Sequence, residues 1–163
     1  MRRFLTLLCA LWMLAGIQAG EPGRQFEVSA VFECPVDEAW FLWTTNEGIR
    51  AGIGVQGSDI ELKLGGKFEI YFGMSSPVGQ RGSEGCQVLS YHPREMLVFS
   101  WNAPPSLPAL RNAGVRTQVV VRVTKKSDAQ SLVTLTHLGI GQGEQWDKYE
   151  QYFKRAWPNV LKH

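Results

Sequence analysis

The stretch from Gly143 to Lys162 limits this chain most. Trp146, Tyr149, Phe153, Trp157 and Val160 recur at steps of three and four, with Asp147, Lys148, Glu150 and Lys154 filling much of the space between them. That is the period of an α-helix with one apolar stripe. Four aromatic rings on one stripe present more apolar surface than a helix can leave in water, so a broad apolar surface must lie against them. The rest of the chain has to supply it.

Upstream, the residues alternate as strands do. Phe26, Val28, Ala30 and Phe32 share one parity between Gln25 and Glu33, and Glu27, Ser29 and Glu33 share the other, which predicts a half-buried first strand. Cys34-Pro35 ends it. Val36, Trp40 and Trp43 then fall at helical spacing, and Asn46 to Ala51 reads as a second short helix before a glycine-bearing return loop. A meander follows: Asp59 to Leu64, Lys67 to Phe72, Gly85 to Tyr91, Met96 to Asn102, Arg116 to Lys125 and Ser131 to Leu138. The first two flank Gly65-Gly66, which predicts a two-residue hairpin turn. Two longer loops, Gly73 to Gly82 and the proline-bearing Ala103 to Gly114, are candidates for the mouth of a site. The pattern predicts an α+β domain: an antiparallel sheet gripping a long C-terminal helix, with two short helices after strand 1 and an apolar space between sheet and helix.

The N-terminus carries a different signature. Arg2 and Arg3 precede an uncharged, greasy run from Phe4 to Ile17, and Gln18, Ala19, Gly20 and Glu21 follow. Positive residues, a short apolar run and then small residues are the mark of a secretory signal peptide, with cleavage expected after Ala19. The run is shorter than the roughly 20 residues that span a bilayer, so no integral membrane segment is expected after cleavage. Cys9 lies too early in the run to be a lipidation site. This predicts a signal peptide over residues 1–19, a single domain over 20–163, and a periplasmic or secreted protein. Without Arg2 and Arg3, the seventeen basic residues become fifteen, equal to the fifteen acidic ones. A neutral chain with no run of like charges has no field to gather nucleic acid, and nucleic-acid binding is not expected.

Few chemistries have the residues they need. His-Glu-x-x-His and Cys-x-x-Cys are absent, and the three histidines sit in a turn, a strand and the terminus, so neither a metal site nor a cofactor is expected. Ser83 lacks the Gly-x-Ser-x-Gly setting of a hydrolase nucleophile. Gly139 to Gly143 is not a dinucleotide turn and reads as a flexible connector. The tryptophans Trp40, Trp43, Trp101, Trp146 and Trp157 could cage a cation or simply pack the core. Cys34 and Cys86 remain after export, and by count alone they could bridge or stay separate buried thiols.

Several blocks, in this order and spacing, resemble one superfamily. They are CPVDEAWFLWTTNEGI from Cys34, DIELKLGGKFEIYF from Asp59, GCQVLSYHPREMLVFSW from Gly85, LVTLTHLGI from Leu132 and YFKRAWPNVLKH from Tyr152. Together they resemble the START/Bet v 1-like (SRPBCC) superfamily, and within it the AHSA1-like branch named after the activator of Hsp90 ATPase and also described as polyketide cyclase-like. The resemblance implies a helix-grip fold: a curved seven-stranded antiparallel sheet around the C-terminal helix, enclosing a hydrophobic cavity. In that strand order Cys34 and Cys86 lie several strands apart, which implies no disulfide between them. Where many relatives carry an aromatic pair after the first helices, this chain has Ile49, Arg50, Ala51, Gly52 and Ile53. An export signal also does not suit activation of a cytosolic chaperone.

The leading expectation is an exported protein that binds a hydrophobic small molecule or lipid in the sheet–helix cavity without catalysis. Trp43, Phe72, Trp101, Val121, Leu135, His137, Tyr149 and Phe153 are the expected lining. His137 shares parity with Val133 and Leu135, so it points where they point. It is either a polar handle or general base, or a histidine that anchors the strand end. The alternatives are a cyclase or hydrolase-like enzyme with His137 as acid/base, and a protein-interaction module presenting the final helix.

Overall fold

The computed structural model describes residues 23–162; the expected signal peptide, residues 1–19, lies outside the described residues. The elements run β1 (Arg24–Phe32), α1 (Val36–Thr44), α2 (Asn46–Ile53), β2 (Gly57–Ile60), β3 (Phe68–Tyr71), β4 (Val88–His92) and β5 (Met96–Asn102). They continue with α3 (Pro108–Asn112), β6 (Arg116–Lys125), β7 (Ser131–Ile140) and α4 (Glu144–Val160). β1, β7, β6, β5 and β4 form one antiparallel sheet in that order, and β2 pairs with β3.

Alternation chooses the buried face. Thr117, Val119, Val121 and Val123 of β6, and Ser131, Val133, Leu135 and His137 of β7, all face the core. Between Phe26↔His137 and Arg24↔Ile140 the register of β1 against β7 shifts, and the extra residue returns Ile140 to the buried side. β7 therefore runs two residues beyond the Leu138 expected for it. α4 lies across this face with Tyr149, Phe153 and Trp157 buried, and Arg24 of β1 holds its outer side through Asp147 at 2.6 Å and Glu150 at 3.4 Å. The expected flexible connector is close-packed: a Cβ on Gly141 would come within 2.5 Å of the Trp146 ring. α1 and α2 close the open end, with Trp43 beside Phe99 at 6.5 Å between ring centroids and Phe99 stacked on Phe68 at 3.9 Å.

All seven expected strands are present: five form a continuous ladder, and the β2–β3 hairpin joins it irregularly through single bridges, Lys67↔Gln87 and Tyr71↔Gly82. Ser83 is the physical reason. Its buried hydroxyl accepts from the Ile70 N–H at 2.7 Å and donates to the Phe68 carbonyl at 3.1 Å, while its own N–H reaches the Ile70 carbonyl at 3.0 Å. A side chain thus replaces part of a ladder, and β4 starts only at Val88. The hairpin turn also differs from the expected Gly65-Gly66 pair. β2 stops at Ile60, opposite Phe68; the tight turn spans Lys63 to Gly66, closed by the Gly66 N–H on the Lys63 carbonyl at 2.9 Å, with Leu64 and Gly65 at its centre, while Gly65 and Gly66 also bond to Val88 of the neighbouring strand. Leu62 and Leu64 fall in this connection, and Leu64 is exposed. The proline-bearing loop holds the short helix α3, which periodicity had not suggested.

Cys34 and Cys86 are both free and buried. They flank strands at opposite edges of the five-stranded sheet, four strand spacings or about 19 Å apart. That is beyond the reach of a disulfide. Burial pushes the Cys86 thiol up to about 11.

The contact between β3 and the Ser83 segment allows no side chain at Gly82, where a Cβ would lie 1.9 Å from the Ile70 carbonyl oxygen. Gly82→Ala is expected to destabilise the protein by on the order of 2 kcal/mol, read as a lower urea midpoint at unchanged slope. An unchanged midpoint would show that this segment does not hold the hairpin to the sheet.

Candidate functional site

His137 sits at the centre of the sheet–helix interface, fully buried. The Trp157 indole N–H donates to its Nδ1 at 2.9 Å. An indole nitrogen can only donate, so Nδ1 accepts and the neutral ring carries its proton on Nε2. Nε2 lies 2.7 Å from the Thr117 hydroxyl and 3.2 Å from the Tyr149 hydroxyl, and those two oxygens are 2.7 Å apart. One arrangement satisfies every donor. His137 Nε2–H and the Tyr149 O–H both donate to Thr117 Oγ1, and the Thr117 O–H donates to the Trp101 carbonyl at 3.3 Å. Phe153, Phe26 and Tyr149 surround the imidazole at 5.0, 5.6 and 5.5 Å between centroids.

Burial pulls the His137 pKa from the ordinary 6.5 down to about 3, and pushes the Tyr149 hydroxyl well above its usual value. The ring is neutral at every physiological pH. A general base needs access to a substrate proton and a pKa near the working pH. His137 has neither, and its geometry is that of an anchor between sheet and helix.

The expected lining residues divide into two groups. Trp43, Val121, Leu135, His137 and Tyr149 lie in the packed core, each at most 2% exposed. Only Phe72, Trp101 and Phe153 reach a cleft. It opens beside α4 rather than beneath it, has a volume of about 250 Å³, and is also lined by Tyr152, Ala156, Trp157, Asn159 and Val160. Toward the loops it continues past Asn102, Pro104, Pro105 and Arg111. Tyr152, Ala156 and Asn159, beside the expected stripe of α4, were not among the expected lining residues, and Val160 of that stripe lies in the cleft as well. Tyr152, Ala156 and Val160 step by four, which is a readable signal, but it is masked by the richer aromatic stripe.

Arg111 of α3 builds the cleft's outer wall. Its guanidinium donates to the carbonyls of Gly79, Ala103 and Gly82, and pairs with Glu84 at 3.1 Å with only 9% of the arginine side chain exposed. The Glu84 carboxylate in turn accepts from the backbone N–H groups of Gly79, Arg81 and Gly82. The two long loops are therefore fastened to each other. Among the described residues no three His, Cys, Asp or Glu side chains gather as metal ligands, and no helix is long and apolar enough to cross a membrane.

A family model, that of the activator of Hsp90 ATPase homolog 1-like proteins, matches residues 33–163. The chain belongs to this family. This AHSA1-like chain also shares its fold with solved structures. A Mesorhizobium loti protein is 20% identical with a TM-score of 0.64, covering 85% of this chain and 91% of its own. An Hsp90 activator from Plasmodium falciparum is 17% identical with a TM-score of 0.61, covering 83% of this chain and 88% of its own. DynU16, a protein of the dynemicin biosynthetic locus, is 17% identical with a TM-score of 0.56, covering 84% of this chain and 45% of its own. No curated protein matches the sequence. The AHSA1-like fold accounts for the sheet, the gripped helix and the short helices; the closed core and the displaced cleft are read from this chain's own packing.

The neutral histidine has a measurable consequence. Its folded-state pKa lies below the unfolded value, so below pH 6.5 the unfolded chain takes up a proton that the folded chain refuses until about pH 3. Stability due to His137 is fully present above 6.5 and is lost as pH falls through that window. Between pH 7 and pH 4.5 the loss should be about 2–3 kcal/mol in denaturant titrations. His137→Phe should be less stable at pH 7, because the Trp157 indole N–H and the Thr117 hydroxyl lose a partner, but should lack this part of the pH slope. An equal slope in both proteins would place the imidazole in water.

Proposed function

We propose that this AHSA1-like protein binds an apolar small molecule or lipid in the cleft beside α4, without catalysis, after export. The observation that carries the reading is the cleft itself. Phe72, Trp101, Tyr152, Phe153, Ala156, Trp157 and Val160 give it mainly apolar walls, with Asn159 and the Tyr152 hydroxyl as polar groups and Asn102 and Arg111 where it continues toward the loops. Concave apolar surface with a few polar groups is the usual form of a small-molecule site. Phe72 and Tyr152 remain 47% and 43% exposed, which leaves large rings in water unless something covers them.

Export is supported by Arg2, Arg3 and the apolar run from Phe4 to Ile17. Export would separate the protein from a cytosolic chaperone and its ATP, so Hsp90 activation, the role of the Plasmodium falciparum neighbour, is not carried over. Acid/base catalysis by His137 has no comparable support, given a closed and neutral ring.

A neutral fluorescent probe, phenylnaphthylamine, should bind the purified protein. Ala156→Trp fills the cleft and should weaken that binding about ten-fold while leaving thermal unfolding unchanged. Absence of probe binding by the parent protein would sink the reading. Export is checked separately: protein recovered from its own host should begin at Gly20 by intact mass and appear outside the cytoplasm. Retention of Met1 in a cytoplasmic fraction would reject it.

A further inference from the structure

We infer that the ligand of this cleft is an amphiphile with an anionic head, and that Arg155 receives the head. This rests on the cleft being the ligand site. Beside the apolar cleft lies a second depression of about 490 Å³, lined by Ser106, Leu107, Lys148, Gln151, Arg155 and the shared residues Tyr152, Ala156 and Asn159. The shared residues make the two depressions one groove, greasy at the Trp101 end and polar at the Arg155 end.

The charges sort in one direction. No Asp or Glu lines either depression, and two cations line the polar one; Arg111, where the cleft continues toward the loops, is already paired with Glu84. The acids of α4 are engaged elsewhere: Asp147 with Arg24, Glu150 with Arg24 and Lys154, and Glu144 with Lys148 at 2.7 Å. Lys148 is thus largely answered by its neighbour. Arg155 is not. Its Nε donates to the Gln151 carbonyl at 3.1 Å, and among the described residues no carboxylate pairs with its guanidinium. A planar fork beside Gln151, Asn159 and Ser106 suits the oxygens of a carboxylate or phosphate. An apolar tail lying along Ala156 toward Trp101 would place an anion there, while a cationic head would meet like charge. Because Arg155 is exposed, the discrimination is modest, several-fold rather than hundreds-fold.

The test uses three probes of equal tail length, decanoate, decanol and decyltrimethylammonium, each displacing phenylnaphthylamine below its micelle concentration at low salt. Decanoate should bind about three- to five-fold tighter than decanol, and decyltrimethylammonium weakest. Added salt should shrink the difference. Arg155→Gln should bring decanoate to the decanol value and leave decanol unchanged, while Arg155→Lys should keep the order because it keeps the charge. Equal binding of all three probes, or a preference for the cation, overturns the anionic head and leaves the cleft reading standing. A preference for decanoate that survives Arg155→Gln overturns the assignment to Arg155. Failure of phenylnaphthylamine itself to bind removes the cleft reading, and the inference with it.

Discussion

The indole N–H of Trp157, aimed at Nδ1 of His137, joins the two halves of this molecule. On one side stands a sheet whose strands alternate toward the core; on the other, a helix that cannot remain in water. Apolar burial drives them together, but it is non-directional and would accept many rotations of α4 over the sheet. The polar groups remove that freedom. His137, Thr117, Tyr149 and Trp157 satisfy one another only in the observed arrangement, and an unmade bond among them would leave a buried polar group at a cost of about 1–3 kcal/mol. A fully connected network specifies one docking where grease alone would not.

That docking decides where a ligand has room. With Tyr149, Phe153 and Trp157 pressed into the sheet, the space beneath the helix is taken up by the protein's own rings. Emptiness is displaced sideways, to the stripe of α4 that carries Tyr152, Ala156 and Val160 and to the loops that lean over it. Trp101 and Phe153 belong to both worlds, with one edge in the core and another in the cleft.

Much of this was legible in the sequence because two periods are physical signatures. Period two in Val119 to Val123 and in Val133 to His137 gave the strands and their inward faces, and period 3.6 from Trp146 to Val160 gave α4 and its buried side. What stayed hidden depends on contacts distant in sequence. Nothing local to Ser83 says that its hydroxyl will serve the backbone of Phe68 and Ile70, and nothing at Gly65 says that its N–H will turn to Val88. The site was half legible for a related reason. Parity told which side His137 faces, but whether that side is a void or a packed interior depends on how several side chains fill it together.

Arg111 has a mechanical consequence. Because one guanidinium holds Gly79, Gly82, Glu84 and Ala103 at once, the loops 73–82 and 103–114 do not have independent hinges. They are tied together through a single side chain, so loss of Arg111 would release both walls of the groove at once.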